Sequence, residues 1–317
     1  MIKLIAGRIV LLIGLLLAVT MLTFGAMNLL GDPLFNILGP VAQSTDPRDQ
    51  PDIEAARADF NLDRSLPVRY GLWLEDVVVN RDFGRSYGSK LEVNDIMKDR
   101  LPKSLLLAGM ALLMGVVIAI PWGVWAASRA NKPVDKLSTV ATFGIVALPN
   151  FALGVLLYYA FALKLQWFPL KFIDNEGLYM RLKSMFLPAL TLALPLAAVY
   201  QRLLRTDLIT TLQEDFILMA RSKGVPKWKV LFGHALRPSM FSFITVFGLN
   251  AGALIGGALV VETIFNIPGA GSQIVESIIR DDFPVVLAII VVITAGFVVL
   301  NLLVDVLYSI LDPRVRS

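Results

Sequence analysis

The chain contains one histidine, His234, and no cysteine, which narrows the chemistry open to it. Structural disulfides, thiolate redox chemistry and Cys/His zinc sites are excluded. Gly84-Arg85-Ser86-Tyr87-Gly88 fits the GxSxG nucleophile pattern. A serine nucleophile needs a histidine within reach, and the topology derived below puts His234 on the opposite side of a membrane. His234 therefore reads as a packing or hydrogen-bonding residue. No P-loop pattern occurs, so the chain should not hydrolyse ATP itself. An aspartyl intramembrane protease needs two membrane carboxylates, and only Asp305 stands close enough to an apolar run. Asp305, with Asn301 one turn earlier on the same helix face, is a candidate gate or a structural polar pair. Gly248, Gly252 and Gly256 recur at a spacing of four, which lets two helix backbones approach closely. Their partner is a helix of this chain or of a second subunit.

These residues sit in a membrane composition. Of the 317 residues, 56% are hydrophobic, against about 45–50% in soluble domains, and the mean hydropathy is +0.69. Asp, Glu, Lys and Arg are absent from the six windows 9–31, 104–128, 137–163, 184–201, 238–261 and 283–304. Each is long enough to approach the roughly 20 residues a spanning helix needs. The runs are continuous rather than alternating, so they predict six transmembrane helices and not barrel strands. The first run exceeds the roughly 7–15 residues of a signal-peptide core and reads as an uncleaved helix. Pro188 and Pro195 should kink or loosen the fourth helix. A soluble enzyme and a nucleic-acid binder both fit poorly.

Charge sets the orientation. Lys3 and Arg8, the short loop 129–136, the loop 202–237 and the tail with Arg314 and Arg316 fall on one side of a six-span chain. The loop 202–237 alone carries Arg202, Arg205, Arg221, Lys223, Lys227, Lys229 and Arg237. Basic loops stay cytoplasmic, so both termini are expected inside a cell (inner or plasma) membrane. The pI near 9.3 is mostly this topology signal.

Four sections follow: the N-terminus and first helix (1–31), an extracytoplasmic helical cap (32–103), a five-helix core (104–311) and a cytoplasmic tail (312–317). In the cap, helices are expected from Pro51 to Leu62, Leu66 to Val79 and Leu91 to Asp99, with a break at 80–84. In the loop 202–237, one helix is expected from about Asp207 to Ser222. Gly224 suits a left-handed helix stop. A second short helix should open at Pro226 and end near Pro238. The pair makes a rigid knob, read either as a docking element or as an interfacial helix on lipid headgroups.

The stretch MARSKGVPKWKVLFGHALRPS, 219–239, resembles the EAA-type cytoplasmic loop of ABC importer permeases, in its peptide-type form. FNLDRSLPVRYGLWL and RDFGRSYGS (60–74 and 81–89), VETIFNIPGAGSQIVESIIRDDFPVV (261–286) and NLLVDVLYSILDPRVR (301–316) resemble further parts of the first permease of dipeptide, oligopeptide and nickel transporters. The resemblance runs end to end. It implies an all-α type I importer permease fold (MetI-like), with six transmembrane helices and a helical extracytoplasmic domain after the first. It implies half of a translocation pathway, completed by a second homologous permease. Two ABC ATPase subunits would bind ATP and Mg, leaving this chain without a cofactor. An extracytoplasmic binding protein would deliver cargo, and membrane lipid surrounds the whole.

The coupling helix near 213–223 would meet the ATPases through Glu214, Asp215, Met219, Ala220, Arg221, Ser222, Lys223 and Gly224. The namesake Glu-Ala-Ala is Leu218-Met219-Ala220 here, so Glu214 or Asp215 is the candidate substitute for the acidic partner. Peptide is the expected cargo, with haem, nickel and glutathione as alternatives. An ion-gradient-driven transporter is the reading from a different class.

Overall fold

The computed structural model of the protein describes residues 2–30 and 34–311. These are helical almost throughout; the one β-type pairing among them is an isolated bridge between Arg85 and Glu92. The chain divides into two units, 1–103 with 268–298 and 104–267 with 299–317.

In the first unit, α1 (Ile2–Leu30) contains the apolar span Ile9–Asn28. The short α2 (Leu34–Leu38) and a 3-10 turn lead to α3 (Gln50–Asp59) and α4 (Leu66–Glu75). Proline stands at the start of α3 and of α4, where its missing N–H is not needed. A π turn, Asp76–Asn80, prolongs α4, and Arg81 ends it at φ 54°. The cap helices thus lie where their sequence expects them. The third does not stop at Asp99. It is the start of α5 (Val93–Ala127), a helix that continues through Pro102. The unit also holds α13 (Ala270–Ile279) and the first part of α14 (Phe283–Leu311). Val93, Met97, Ala270, Val285 and Ile289 form one of its cores.

In the second unit, α6 (Pro133–Ala147) and α7 (Asn150–Leu157), the latter prolonged by a π turn to Lys164, meet at 102°. The six apolar runs expected from the sequence are all helical here, but one of them is bent. The described residues hold five helices long and apolar enough to span a membrane, and the window 137–163 is a bent pair that counts as a sixth only if taken as one span. Leu148 and Pro149 are both extended at the corner. Proline disfavours helix at the residue before it, so a charge-free run need not be a straight one.

The long α8 (Leu178–Thr211) is unbroken across Pro188 and Pro195. Then come α9 (Asp215–Ser222), α10 (Lys227–Lys229) with a π turn Val230–Ala235, α11 (Leu236–Gly257) and α12 (Leu259–Ile264). Close packing organises this unit. A Cβ on Gly123 of α5 would lie 3.2 Å from Leu204 Cδ2 and 3.3 Å from the Gln201 carbonyl of α8. Tyr200, with no exposed surface, packs against Phe243 and Phe247 of α11 at 5.1 and 6.2 Å between ring centroids.

Candidate functional site

The knob at 202–237 is built from the end of α8. Leu212 to Glu214 form a turn in which the Gln213 and Glu214 N–H groups donate to Thr210 and Thr211 carbonyls at 3.0 and 3.1 Å. Glu214 is extended (φ −67°, ψ 151°) and opens α9. The single helix expected from Asp207 to Ser222 is therefore two: α8 carries 207–211, and α9 begins afresh at Asp215. Asp215 in the first turn and Arg221 in the last complement the helix dipole.

α9 stops as Gly224 requires. Its φ is +75°, and the Val225 N–H donates to the Ala220 carbonyl at 3.2 Å while the Gly224 N–H donates to Arg221 at 2.9 Å. Those two bonds are the Schellman pattern. Val225 and Ala220 pack in one core, as the motif's apolar contact demands. Pro226 is extended just ahead of α10. The second helix does not end near Pro238. The chain runs through the π turn into α11, and the Ser239 hydroxyl bonds the Ala235 carbonyl at 2.9 Å and Thr211 Oγ1 at 3.0 Å. A proline removes one i−4 bond, and a wider turn before it is a common accommodation.

Two buried side chains pin the knob. Ile217 has no exposed surface and Val230 is 2% exposed; both join Leu204, Leu208 and Ala235. Around Ile217 the apolar side chains Phe216, Leu218 and Met219 are exposed, as are Trp228 and Phe232 on the next segment. A helix that anchors one residue and leaves three apolar neighbours in the open presents a face for another surface.

Glu214, Asp215, Met219, Arg221, Ser222, Lys223 and Gly224 are all exposed on this one helix and its stop, and Ala220 is half-buried beneath them. The Ser222 hydroxyl is turned inward to the Leu218 carbonyl, at 3.0 Å. His234, expected to pack or to hydrogen-bond, is exposed in the π turn and does not pack in the core.

The glycine stripe is seen in part. A Cβ on Gly248 would stand 2.8 Å from Val304 Cβ of α14, with both valine methyls nearer still. Gly252 is buried. The surroundings of Gly256 and the side chain of Asp305 lie outside the described residues, and Asn301 is half-buried. No metal-ligand cluster occurs among the described residues. Ser86, centre of the GxSxG pattern, donates its hydroxyl to Asp282 Oδ2, while the Tyr87 N–H donates to Asp282 Oδ1 at 3.0 Å. The pattern is a loop clip.

One pair escaped sequence reasoning. Arg205, near the end of α8, grips Asp135 in the first turn of α6 through two parallel bonds, Nε to Oδ1 at 2.5 Å and Nη2 to Oδ2 at 2.6 Å. The Asn131 N–H adds a third at 2.9 Å. The Asp135 side chain is 3% exposed. Both residues had counted only as loop charges. Asp135 two positions after Pro133 marks a helix start, but its partner is seventy residues away, beyond any local pattern.

Residues 119–317 match the family described as binding-protein-dependent transport system inner membrane component. The chain is 35% identical over 315 residues to the oligopeptide transport system permease protein AppB of Bacillus subtilis, covering 98% of each. It is 36% identical over 318 residues to the glutathione transport system permease protein GsiC of Escherichia coli K12, covering 100% of this chain and 99% of that one. A solved structure described as an amino acid ABC transporter with histidines matches at a TM-score of 0.51 and 16% identity, over 70% of this chain and 94% of that one. That last likeness is one of fold.

Proposed function

The chain belongs to the family of binding-protein-dependent transport system inner membrane components, and from that premise we propose that it forms half of the pathway of an ATP-driven importer for short peptides. It is a multi-pass permease of an ABC importer. The proposed cargo class covers both named relatives, because glutathione is itself a tripeptide. The remaining parts are a second permease of similar fold, two ATPase subunits and an extracytoplasmic binding protein. The basic loops 129–136 and 202–237 put the knob and both termini in the cytoplasm.

The observation that carries the coupling role is the exposed row Phe216, Leu218 and Met219 around a fully buried Ile217. The row would seat in a groove of an ATPase subunit, with Glu214 or Asp215 supplying the acidic contact. The pinned knob transmits ATPase closure into α8 and α11 as a rigid body.

Phe216→Ser combined with Met219→Ser should leave the permease in the membrane but lose most of the co-purifying ATPase. Removing two apolar anchors from an interface costs about 2–4 kcal/mol, a loss of tenfold or more. Full retention of ATPase by that variant would sink the docking face. Gly224→Val tests the corner itself. A β-branched residue at φ +75° is strained by about 1–2 kcal/mol, so substrate-stimulated ATPase should fall several-fold with insertion unchanged. Normal stimulation would mean the corner need not be rigid. Uptake that fails without ATP yet survives a collapsed membrane potential separates this reading from ion-driven transport.

A further inference from the structure

The first unit holds a cavity of about 440 Å³ between the end of α1, α4 and the loop at 83–87. Phe24 and Asn28 contribute from α1, and Asn28 is the last residue of the apolar span Ile9–Asn28, so the cavity lies at a membrane boundary. Arg69 and Trp73 face it from α4.

Two polar atoms of its lining residues, the acceptor Asn28 Oδ1 and the donor Trp73 Nε1, are buried without a partner. The other end of the Asn28 amide is committed, since Nδ2 donates to the Phe24 carbonyl at 2.7 Å. Proteins rarely leave a buried donor and a buried acceptor both empty on one wall. The Arg69 guanidinium sits over the Phe24 ring, 5.9 Å from its centroid, and makes no ion pair among the described residues. Asp59 and Asp76 stand exposed among the lining residues.

A ligand that fits brings an anionic acceptor for Trp73 and Arg69 together with an N–H donor for Asn28 and the carboxylates. Tyr87 also lines the cavity, and burial pushes its hydroxyl up to about 12. Leu17 and Met21 stand seven residues before Phe24 and Asn28, two turns along the same helix face. They are 41% and 65% exposed and form an apolar track leading to the cavity.

We propose that this cavity binds the headgroup of an aminophospholipid such as phosphatidylethanolamine, with its phosphate on Trp73 and Arg69, its ammonium on Asn28 and its acyl chains along Leu17 and Met21. A choline headgroup has no N–H to give Asn28, so the site selects against it. The inference needs only that α1 spans a membrane, and it holds or fails independently of the cargo and of the coupling role.

The transporter, purified as its complex, would be reconstituted in nanodiscs of equal phosphatidylethanolamine, phosphatidylcholine and phosphatidylglycerol, then delipidated stepwise and its retained lipid counted by native mass spectrometry. Phosphatidylethanolamine should be retained about tenfold over the other two. Asn28→Leu should cut that preference about three- to tenfold, the worth of one or two hydrogen bonds, while Trp73→Phe, at the phosphate shared by all three lipids, should lower total retained lipid by a similar factor. Arg69→Gln, at a half-exposed position, gives the retention reading if Trp73→Phe fails to fold, and Asp59→Asn, at an exposed position of the lining, gives the preference reading if Asn28→Leu does. Equal retention of the three lipids, a preference untouched in the Asn28 or Asp59 variant, or total retention untouched in the Trp73 or Arg69 variant, would overturn the proposal. So would release of the retained lipid by a zwitterionic tripeptide, which would assign the cavity to a soluble ligand.

Discussion

Replacing Arg205 with leucine is expected to destabilise the permease by roughly 2–3 kcal/mol, seen as a lower midpoint in thermal unfolding of the detergent-solubilised protein. The substitution leaves the Asp135 carboxylate, 3% exposed, with only the Asn131 N–H to hold it. Breaking a fully buried pair costs about 3–5 kcal/mol. The estimate here is lower because the Arg205 side chain is 23% exposed and partly solvated. Arg205→Lys should recover only part of the loss, because an ammonium cannot make the two-pronged grip. Asp135→Asn combined with Arg205→Leu should recover more, since no buried charge is then left alone. If the single and double variants unfold together, the pair does not hold α6 to α8.

Gly248→Leu is expected to be at least as severe. The space for its Cβ is already filled by Val304, whose branched side chain has few rotamers to retreat into. Either α11 or α14 must shift as a body, and overpacking of this kind costs about 1–3 kcal/mol or more. Gly248→Ala combined with Val304→Gly should fold better than Gly248→Ala alone, because the Val304 Cβ that would stand 2.8 Å from the new methyl is then gone as well, measured as the monodisperse fraction on size exclusion. A Gly248→Leu protein that elutes and unfolds like the parent would show that the two helices do not touch there.

The sequence makes some of this architecture legible and hides the rest for identifiable reasons. Spans are readable because hydrocarbon excludes charge, and the six charge-free windows coincide with apolar helices. Their direction is not readable in the same way. The window 137–163 is as apolar as its neighbours, and only Pro149 hints that it turns. The stop at Gly224 was legible because a left-handed residue favours glycine. The break between α8 and α9 at 212–214 is not legible, because Asp207 and Asp215 both look like first-turn acids. Pro238 reads as an end, yet proline is tolerated in the first turn of a helix, and it lies in the first turn of α11. Asp135 and Arg205 were visible only as charges, since nothing local links residues on two different helices. The exposed row on α9 likewise required knowing that Ile217, and not Phe216 or Leu218, is the residue that points inward.

The corner between α6 and α7 has a consequence for where solvent can lie. Four carbonyls at the end of one helix and the first N–H groups of the next have no partner within their helices. Of these, the Ile145 carbonyl is taken by Leu148 at 3.3 Å. Val146 to Phe151 are exposed along the turn. In hydrocarbon each such group left bare costs several kcal/mol. Acyl chains therefore cannot wet this elbow. Wherever the apolar run 137–163 breaks, the surface it offers belongs to water or to another polypeptide, and the lipid boundary of this chain must be drawn to leave it out.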